Sequence, residues 1–343
     1  MSGRRILRLI RTPYPGKFWV VLGVAATIGL VIAHYAFPSG RFYVVEARTL
    51  AMTATVVGHR QSWRLPDAIL CVAKPLDPRT LLDTTATDGL CPSTRYTREP
   101  PRLLEPTLPD GARLRLRLRP DDVLEIKPMG DTELTVAGAT VDRRSFILLP
   151  APAWRGMGVL TVAGDLRIGD DVAPASTHYL LEGRYEVRGE VLAYRVAEWF
   201  GATTRPIILK TGRFTRGDRV DVVATAGRAP PAGVTRPVMQ AFVTAPANAD
   251  DAGLDLVAVS VPDRAELRVT SFASSPRHVA ASWTDAAVRD PFILALTALL
   301  TVCALVVTII VDVLQLGQEV AKPEPPAPPT GHRPRIRRRR RQS

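Results

Sequence analysis

The stretch Ala112–Arg119, ARLRLRLR, alternates strictly between leucine and arginine. Successive side chains of a β-strand point to opposite faces of a sheet, so Leu114, Leu116 and Leu118 would share one face. The alternation therefore predicts a strand with one buried face and one charged face. It favours a mainly-β fold for the segment that surrounds it.

The charged face of this strand carries a row of arginines. Same-face neighbours on a strand lie about 6.6 Å apart, and guanidinium groups bind phosphates and carboxylates bidentately. The pattern predicts an anion-binding row made of Arg113, Arg115, Arg117 and Arg119. Two other interpretations stay open. The row can be a solvated or edge face whose charges oppose aggregation, or acidic side chains of neighbouring strands can neutralise it.

Short apolar runs separated by turn signals extend on both sides of the arginine strand. Many short strands of this kind are typical of a sandwich or barrel. The sequence predicts a β-rich, sandwich-like or barrel-like domain over 38–290, with one or few helices, and Gly189–Phe200 is the best helix candidate. A loop-rich segment at 235–251 predicts a possible division into two lobes. The turn signals include Pro120-Asp121-Asp122, Met129-Gly130-Asp131 and Gly169-Asp170-Asp171.

Two cysteines, Cys71 and Cys91, lie inside this β-rich segment. An oxidising compartment favours their pairing, and a loop of this length adds about 3 kcal/mol of stability in the chain-entropy model. A metal site would need further ligands nearby, and only His59 is available. The sequence therefore predicts a structural disulfide.

Two apolar stretches flank the domain, Phe18–Phe37 (FWVVLGVAATIGLVIAHYAF) and Phe292–Val311 (FILALTALLTVCALVVTIIV), and neither contains a charged residue. Twenty helical residues reach about 30 Å, the hydrocarbon thickness of a bilayer. The pattern predicts transmembrane helices at 18–37 and 291–316. Small residues four positions apart allow close helix packing, and the positions with this spacing are Ala25, Gly29, Ala33, Thr297 and Thr301.

The formal charge of +12 is concentrated in the two tails. Residues 1–17 contain five basic and no acidic residues, and residues 317–343 contain eight basic and two acidic residues. Basic flanks stay on the cytoplasmic side of a membrane. The sequence predicts two cytoplasmic tails and a periplasmic domain, anchored in the inner membrane of a bacterium, because the arginine-rich and asparagine-poor composition indicates a GC-rich bacterial genome.

The C-terminal tail combines a polyproline stretch, Pro323–Pro329, with an arginine run. The first predicts an extended spacer. Basic tails next to a membrane bind anionic lipid headgroups, at about 1 kcal/mol per arginine. Both tails are therefore predicted to bind lipid headgroups, and no nucleic-acid partner is expected. The predicted lipid-binding residues of the C-terminal tail are Arg335, Arg337, Arg338, Arg339, Arg340 and Arg341.

The sequence contains none of the common catalytic, nucleotide-binding or metal-binding motifs, and its five histidines are scattered. It therefore predicts no catalytic residue, cofactor or metal. The leading hypothesis is a non-enzymatic inner-membrane scaffold or accessory subunit of a bacterial envelope complex, which binds other membrane or periplasmic proteins. One alternative is an envelope enzyme or binding module for an anionic lipid, glycan or phosphate. Another is a self-assembling ring or filament protein.

Overall fold

The computed structural model describes residues 39–309, apart from 59, 76–89, 137–138, 171–178, 204, 226–236, 249–250, 273, 300, 303–304 and 307–308. Strands dominate this part of the chain, which confirms the prediction of a mainly-β fold. The strands up to the middle of the chain are β1 (Ser39–Thr49), β2 (Ala51–Val56), β3 (Gln61–Ser62), β4 (Leu65–Ala73), β5 (Tyr96–Arg98), β6 (Arg102–Leu104), β7 (Pro106–Leu108), β8 (Arg113–Leu118), β9 (Leu124–Pro128), β10 (Leu134–Val136), β11 (Ala139–Val141) and β12 (Phe146–Leu149).

The second half adds long strands, three short helices and a helical segment that begins at Pro291. The strands are β13 (Leu160–Ile168), β14 (Leu180–Glu190), β15 (Ile207–Phe214), β16 (Asp218–Ala224), β17 (Met239–Thr244), β18 (Leu254–Ser260), β19 (Ala265–Ser271) and β20 (Arg277–Val279). The helices are α1 (Ala151–Gly156), α2 (Leu192–Trp199) and α3 (Trp283–Ala287). The helix predicted over 189–200 is confirmed as α2, although Gly189 and Glu190 still belong to β14.

The prediction of two transmembrane helices is wrong. Among the described residues, no helix has both the length and the apolar character needed to cross a bilayer. The stretch 18–37 lies outside the described residues. In the stretch 291–316, the described residues between 291 and 309 are helical.

One large sheet of sixteen strands organises the domain. Its main path runs β15-β14-β1-β18-β17-β13-β2-β8-β9-β12-β4-β5; β16, β19 and β20 branch from β13, and β6 pairs with β4. We call β15-β14-β1-β18-β17 the first arm, β2-β8-β9-β12-β4-β5 the second arm and β16-β19-β20 the third arm. A separate small sheet has the order β11-β10-β7-β3.

Strand β13 joins the three arms. Residues Leu160–Gly164 pair with β17, and the following residues pair with β2 on one side and with β16 on the other. Gly164 stands at the change of partner with φ +149°, and a Cβ there would overlap the backbone oxygen of Thr55. Only glycine lets the backbones of β13 and β2 approach this closely.

A single large hydrophobic core lies between the inner faces of the arms and includes residues from all three. The buried Tyr43 of β1 donates its hydroxyl hydrogen to the carbonyl of Val279 in β20, at 3.0 Å. This bond connects the first arm to the third arm. The three arms therefore share one core, and the sandwich-like or barrel-like arrangement stays a prediction.

The predicted division near 235–251 stays a prediction, since part of this segment lies outside the described residues. Around it, β17 and β18 pair with each other in antiparallel register, from Met239 opposite Ser260 to Thr244 opposite Asp255. The chain from Met1 to Pro291 forms one compact unit, and Phe292–Ser343 forms another.

Candidate functional site

The candidate site lies on the hairpin formed by β8 and β9. The predicted turn Pro120-Asp121-Asp122 connects the two strands, with Asp122 at φ +57°, and the Asp122 amide donates to the Arg119 carbonyl at 3.0 Å. Aspartate tolerates this left-handed backbone better than most residues. The tight turn fixes the register, so each side chain of β8 faces a defined partner on β9.

The side chains of β8 separate as the sequence predicts. Leu114, Leu116 and Leu118 are buried in the main core, and the arginines lie on the other face. Arg113 is exposed, whereas the three arginines that follow it are half-buried. The β8 strand and its buried leucine face are thus confirmed. The anion-binding role of the arginines stays a prediction.

Strand β9 adds one acidic and one basic side chain to the same face. Its register places Lys127 opposite Arg115 and Glu125 opposite Arg117. Leu124 and Ile126 alternate with these residues and are buried. We call this surface the basic face, formed by Arg113, Arg115, Arg117, Arg119 and Lys127.

Arg115 forms an ion pair with Asp170, whose side chain is 25% exposed. Asp170 reaches the basic face because Gly169 turns the chain at the end of β13, with φ +76°. The Gly169 amide donates to the carbonyl of Ala51 at 2.9 Å, and Ala51 is the β2 neighbour of Arg117. The neutralising carboxylate is therefore held in place by the backbone.

Arg119 is held at the other end of the row. It donates from Nη1 to the carbonyl of Leu90 at 3.2 Å, and the same nitrogen lies 3.6 Å from a carboxylate oxygen of Glu125. Asp121 lies slightly farther away, at 3.8 Å from Nε. Both ends of the half-buried part of the row thus have acceptors in the protein.

The predicted disulfide between Cys71 and Cys91 is present, with the two Cα atoms 5.9 Å apart. Cys71 is fully buried in β4, within a second hydrophobic cluster on the outer face of the second arm. Leu90 and Cys91 pack on this cluster. The disulfide therefore fixes the segment that accepts the hydrogen bond from Arg119.

Arg117 stands between these two anchored arginines without a partner of its own. Neither Arg117 nor Arg113 nor Lys127 makes a side-chain hydrogen bond or ion pair with any described residue, and the Nε atoms of Arg115 and Arg117 are buried without an acceptor. Burial lowers the pKa of Arg117, and the charges of Arg115 and Arg119 lower it further against the opposing effect of Glu125. The protein thus holds a half-buried positive charge that makes no hydrogen bond or ion pair with a described residue, although Glu125 lies opposite it on β9.

The remaining predicted site residues lie elsewhere or outside the described residues. The hydroxyl groups of Thr297 and Thr301 donate hydrogen bonds to backbone carbonyls of their own helical segment, at 2.8 Å and 2.7 Å. The other predicted packing residues of 18–37 and the predicted lipid-binding arginines of 335–341 lie outside the described residues. Within the described residues, no group of three or more His, Cys, Asp or Glu side chains is arranged to hold a metal ion.

A mixed-charge cavity of about 630 Å³ lies on the first arm. Arg48 and Asp255 on its wall form an ion pair at 2.8 Å, and Arg184 pairs with Glu46 at 2.6 Å. Arg213 also lines the cavity and makes no ion pair with a described residue. The cavity and the basic face share no residue.

Comparisons of the chain with protein-family models, with characterised proteins and with solved structures find no match. The site must therefore be judged on its own geometry.

Sequence reasoning missed Lys127, Glu125 and Asp170 as members of the face. The first two had a signal, because LEIKP at 124–128 alternates like β8 and follows it after a turn. Treating 124–128 as the strand that pairs with β8 would have placed Lys127 beside the arginine row. Asp170 had no local signal, since 55 residues separate it from Arg115.

Proposed function

We propose that the protein is a non-enzymatic scaffold or accessory subunit whose β domain recognises an anionic group through the basic face. The observation that carries this proposal is the half-buried Arg117, which has no hydrogen-bond or ion-pair partner among the described residues. Its neighbours are fixed by Asp170 on one side and by Leu90 and Glu125 on the other. A phosphate or carboxylate at Arg117 would complete the row.

The energetics of a partly buried cation support this assignment. Removing a charged group from water is costly unless a counter-ion and hydrogen bonds replace the water. Hydrogen bonds to charged groups contribute about 1.5–3 kcal/mol when both partners are buried, and exposure lowers this value. Arg115 and Arg119 are anchored before binding, so their side chains lose little conformational entropy when the anion binds.

The disulfide supports a location outside the cytoplasm. Disulfides persist in oxidising compartments such as the periplasm, and the Cys71–Cys91 bond fixes the segment beside the basic face. We propose that the protein acts in the periplasmic part of a bacterial envelope complex, which an oxidising compartment would suit. The anionic group would belong to a ligand or partner of that complex.

The test is isothermal titration of the full-length protein with inorganic phosphate and with glucuronate. Arg117→Gln keeps a polar side chain but shortens it and removes its charge, and we expect affinity to fall about tenfold, the size of one charge-assisted contact. Arg213→Gln, on strand β15, is the matched control, because Arg213 also lacks an ion pair to a described residue. The proposal fails if neither anion binds or if both variants change affinity equally.

A further inference from the structure

The basic face holds its unpartnered charges at a regular separation. Arg113 and Arg117 are four residues apart on β8, which corresponds to about 13 Å. Lys127 lies opposite Arg115, so it is the diagonal neighbour of both, at about 7–8 Å. The three cations that have no partner among the described residues therefore form an extended zigzag along the hairpin, not a single cluster.

Carboxylates lie beside these cations. Asp170 neutralises Arg115, which stands between Arg113 and Arg117, and Glu125 lies opposite Arg117 and 3.6 Å from Arg119. A chain with a negative charge on every unit would bring its charges against these carboxylates. A chain whose charges alternate with neutral hydroxyl groups would place its anions on the free cations and donate hydrogen bonds to the carboxylates.

The surface around these residues suits a long ligand more than a small enclosed one. Arg113 is exposed, and Arg117 and Lys127 are half-buried. Cavities of about 630, 410 and 330 Å³ are lined by other residues. A ligand on the basic face therefore lies along the strands, and it gains affinity by contacting several cations at once.

We propose that the ligand of the basic face is a linear acidic polysaccharide in which charged sugars are separated by neutral ones. This inference rests on the proposed function, since it names the class of anion that the same site takes. Carboxylates of successive charged sugars bind Arg113, Lys127 and Arg117. The intervening hydroxyl groups donate to Asp170 and Glu125.

The experiment measures binding of the full-length protein to a length series of hyaluronan oligosaccharides, in which charged and neutral sugars alternate. Glucuronate is the single-charge reference, polygalacturonate carries a charge on every sugar, and dextran is neutral. We expect affinity for hyaluronan to rise with length and then level off, and to exceed that for polygalacturonate of equal length. Dextran should not bind.

Variants locate the contact. Arg113→Gln and Lys127→Gln should each weaken hyaluronan binding about threefold to fivefold, as expected for exposed charge pairs, while leaving glucuronate binding nearly unchanged. Arg117→Gln should weaken both ligands, and Arg213→Gln neither.

The outcomes separate the two proposals. If glucuronate binds at Arg117 but hyaluronan gains nothing with length, or polygalacturonate binds more tightly, the polysaccharide inference is wrong and the proposed function stands. If neither hyaluronan nor any small anion depends on Arg117, both proposals are wrong.

Discussion

At the scale of single residues, Arg115 and Arg117 have the same chemistry and differ only in what surrounds them. Arg115 has Asp170 as its counter-ion, whereas Arg117 has none among the described residues. The difference follows from the turn at Gly169, which directs one carboxylate to one arginine. The affinity of the arginine row for anions therefore depends on Asp170 as much as on the arginines.

Replacing Asp170 with asparagine should strengthen anion binding. Asp170→Asn keeps a hydrogen-bond acceptor for Arg115 but removes the negative charge that repels the ligand, so we expect phosphate affinity to rise about threefold to fivefold. Titration calorimetry measures this change. Asp131→Asn is the control, because Asp131 pairs with Arg143 on an exposed surface. Unchanged or weaker binding in a folded Asp170→Asn protein would show that Asp170 does not limit the site.

At the scale of elements, the disulfide links two parts of the second arm that are also joined by backbone hydrogen bonds between β4 and β5. Cys71 belongs to β4, and Cys91 lies in a short irregular segment that continues into β5. Lys74 donates from Nζ to the carbonyl of Ser93 at 2.6 Å, and its amide donates to the carbonyl of Arg95 at 2.9 Å. The covalent link therefore adds to hydrogen bonds that already hold the segment beside β4.

Removing the disulfide should lower stability by about 3 kcal/mol, because closing a loop of twenty or so residues restricts the unfolded chain by that amount. The variant is the double substitution Cys71→Ala and Cys91→Ala, measured by urea unfolding with tryptophan fluorescence. A dithiol reductant should destabilise the parent protein to the same extent and leave the double variant unaffected. A fully reduced parent protein with unchanged stability would contradict this expectation.

The elements also show which features local sequence can predict. Strand β8 was predictable because a two-residue alternation is a property of eight consecutive residues. The pairing of Arg115 with Asp170 was not, because it depends on how β2 lies between β8 and β13. The transmembrane prediction was wrong because an apolar window records composition alone, and among the described residues no helix has both the length and the apolar character to cross a bilayer.

At the scale of the whole molecule, β13 makes the three arms depend on one another. It contributes hydrogen bonds to β17, β2 and β16, and its buried residues belong to the same core as those of every arm. A strand shared in this way cannot lose its partners on one side without exposing core residues on the other. The unit Met1–Pro291 should therefore unfold as a single cooperative structure.

Core substitutions in different arms should test this cooperativity. Leu116→Ala in β8 and Leu256→Ala in β18 both remove buried side chains, and each should lower the free energy of unfolding by about 2–5 kcal/mol. In each variant, circular dichroism and phosphate binding should be lost at the same urea concentration, because the basic face survives only while the first arm is folded. Leu103→Ala, at a position that is 53% exposed, should change little. If Leu256→Ala instead produced two transitions, with binding retained through the first, the domain would consist of two independent lobes and the division predicted near 235–251 would be supported.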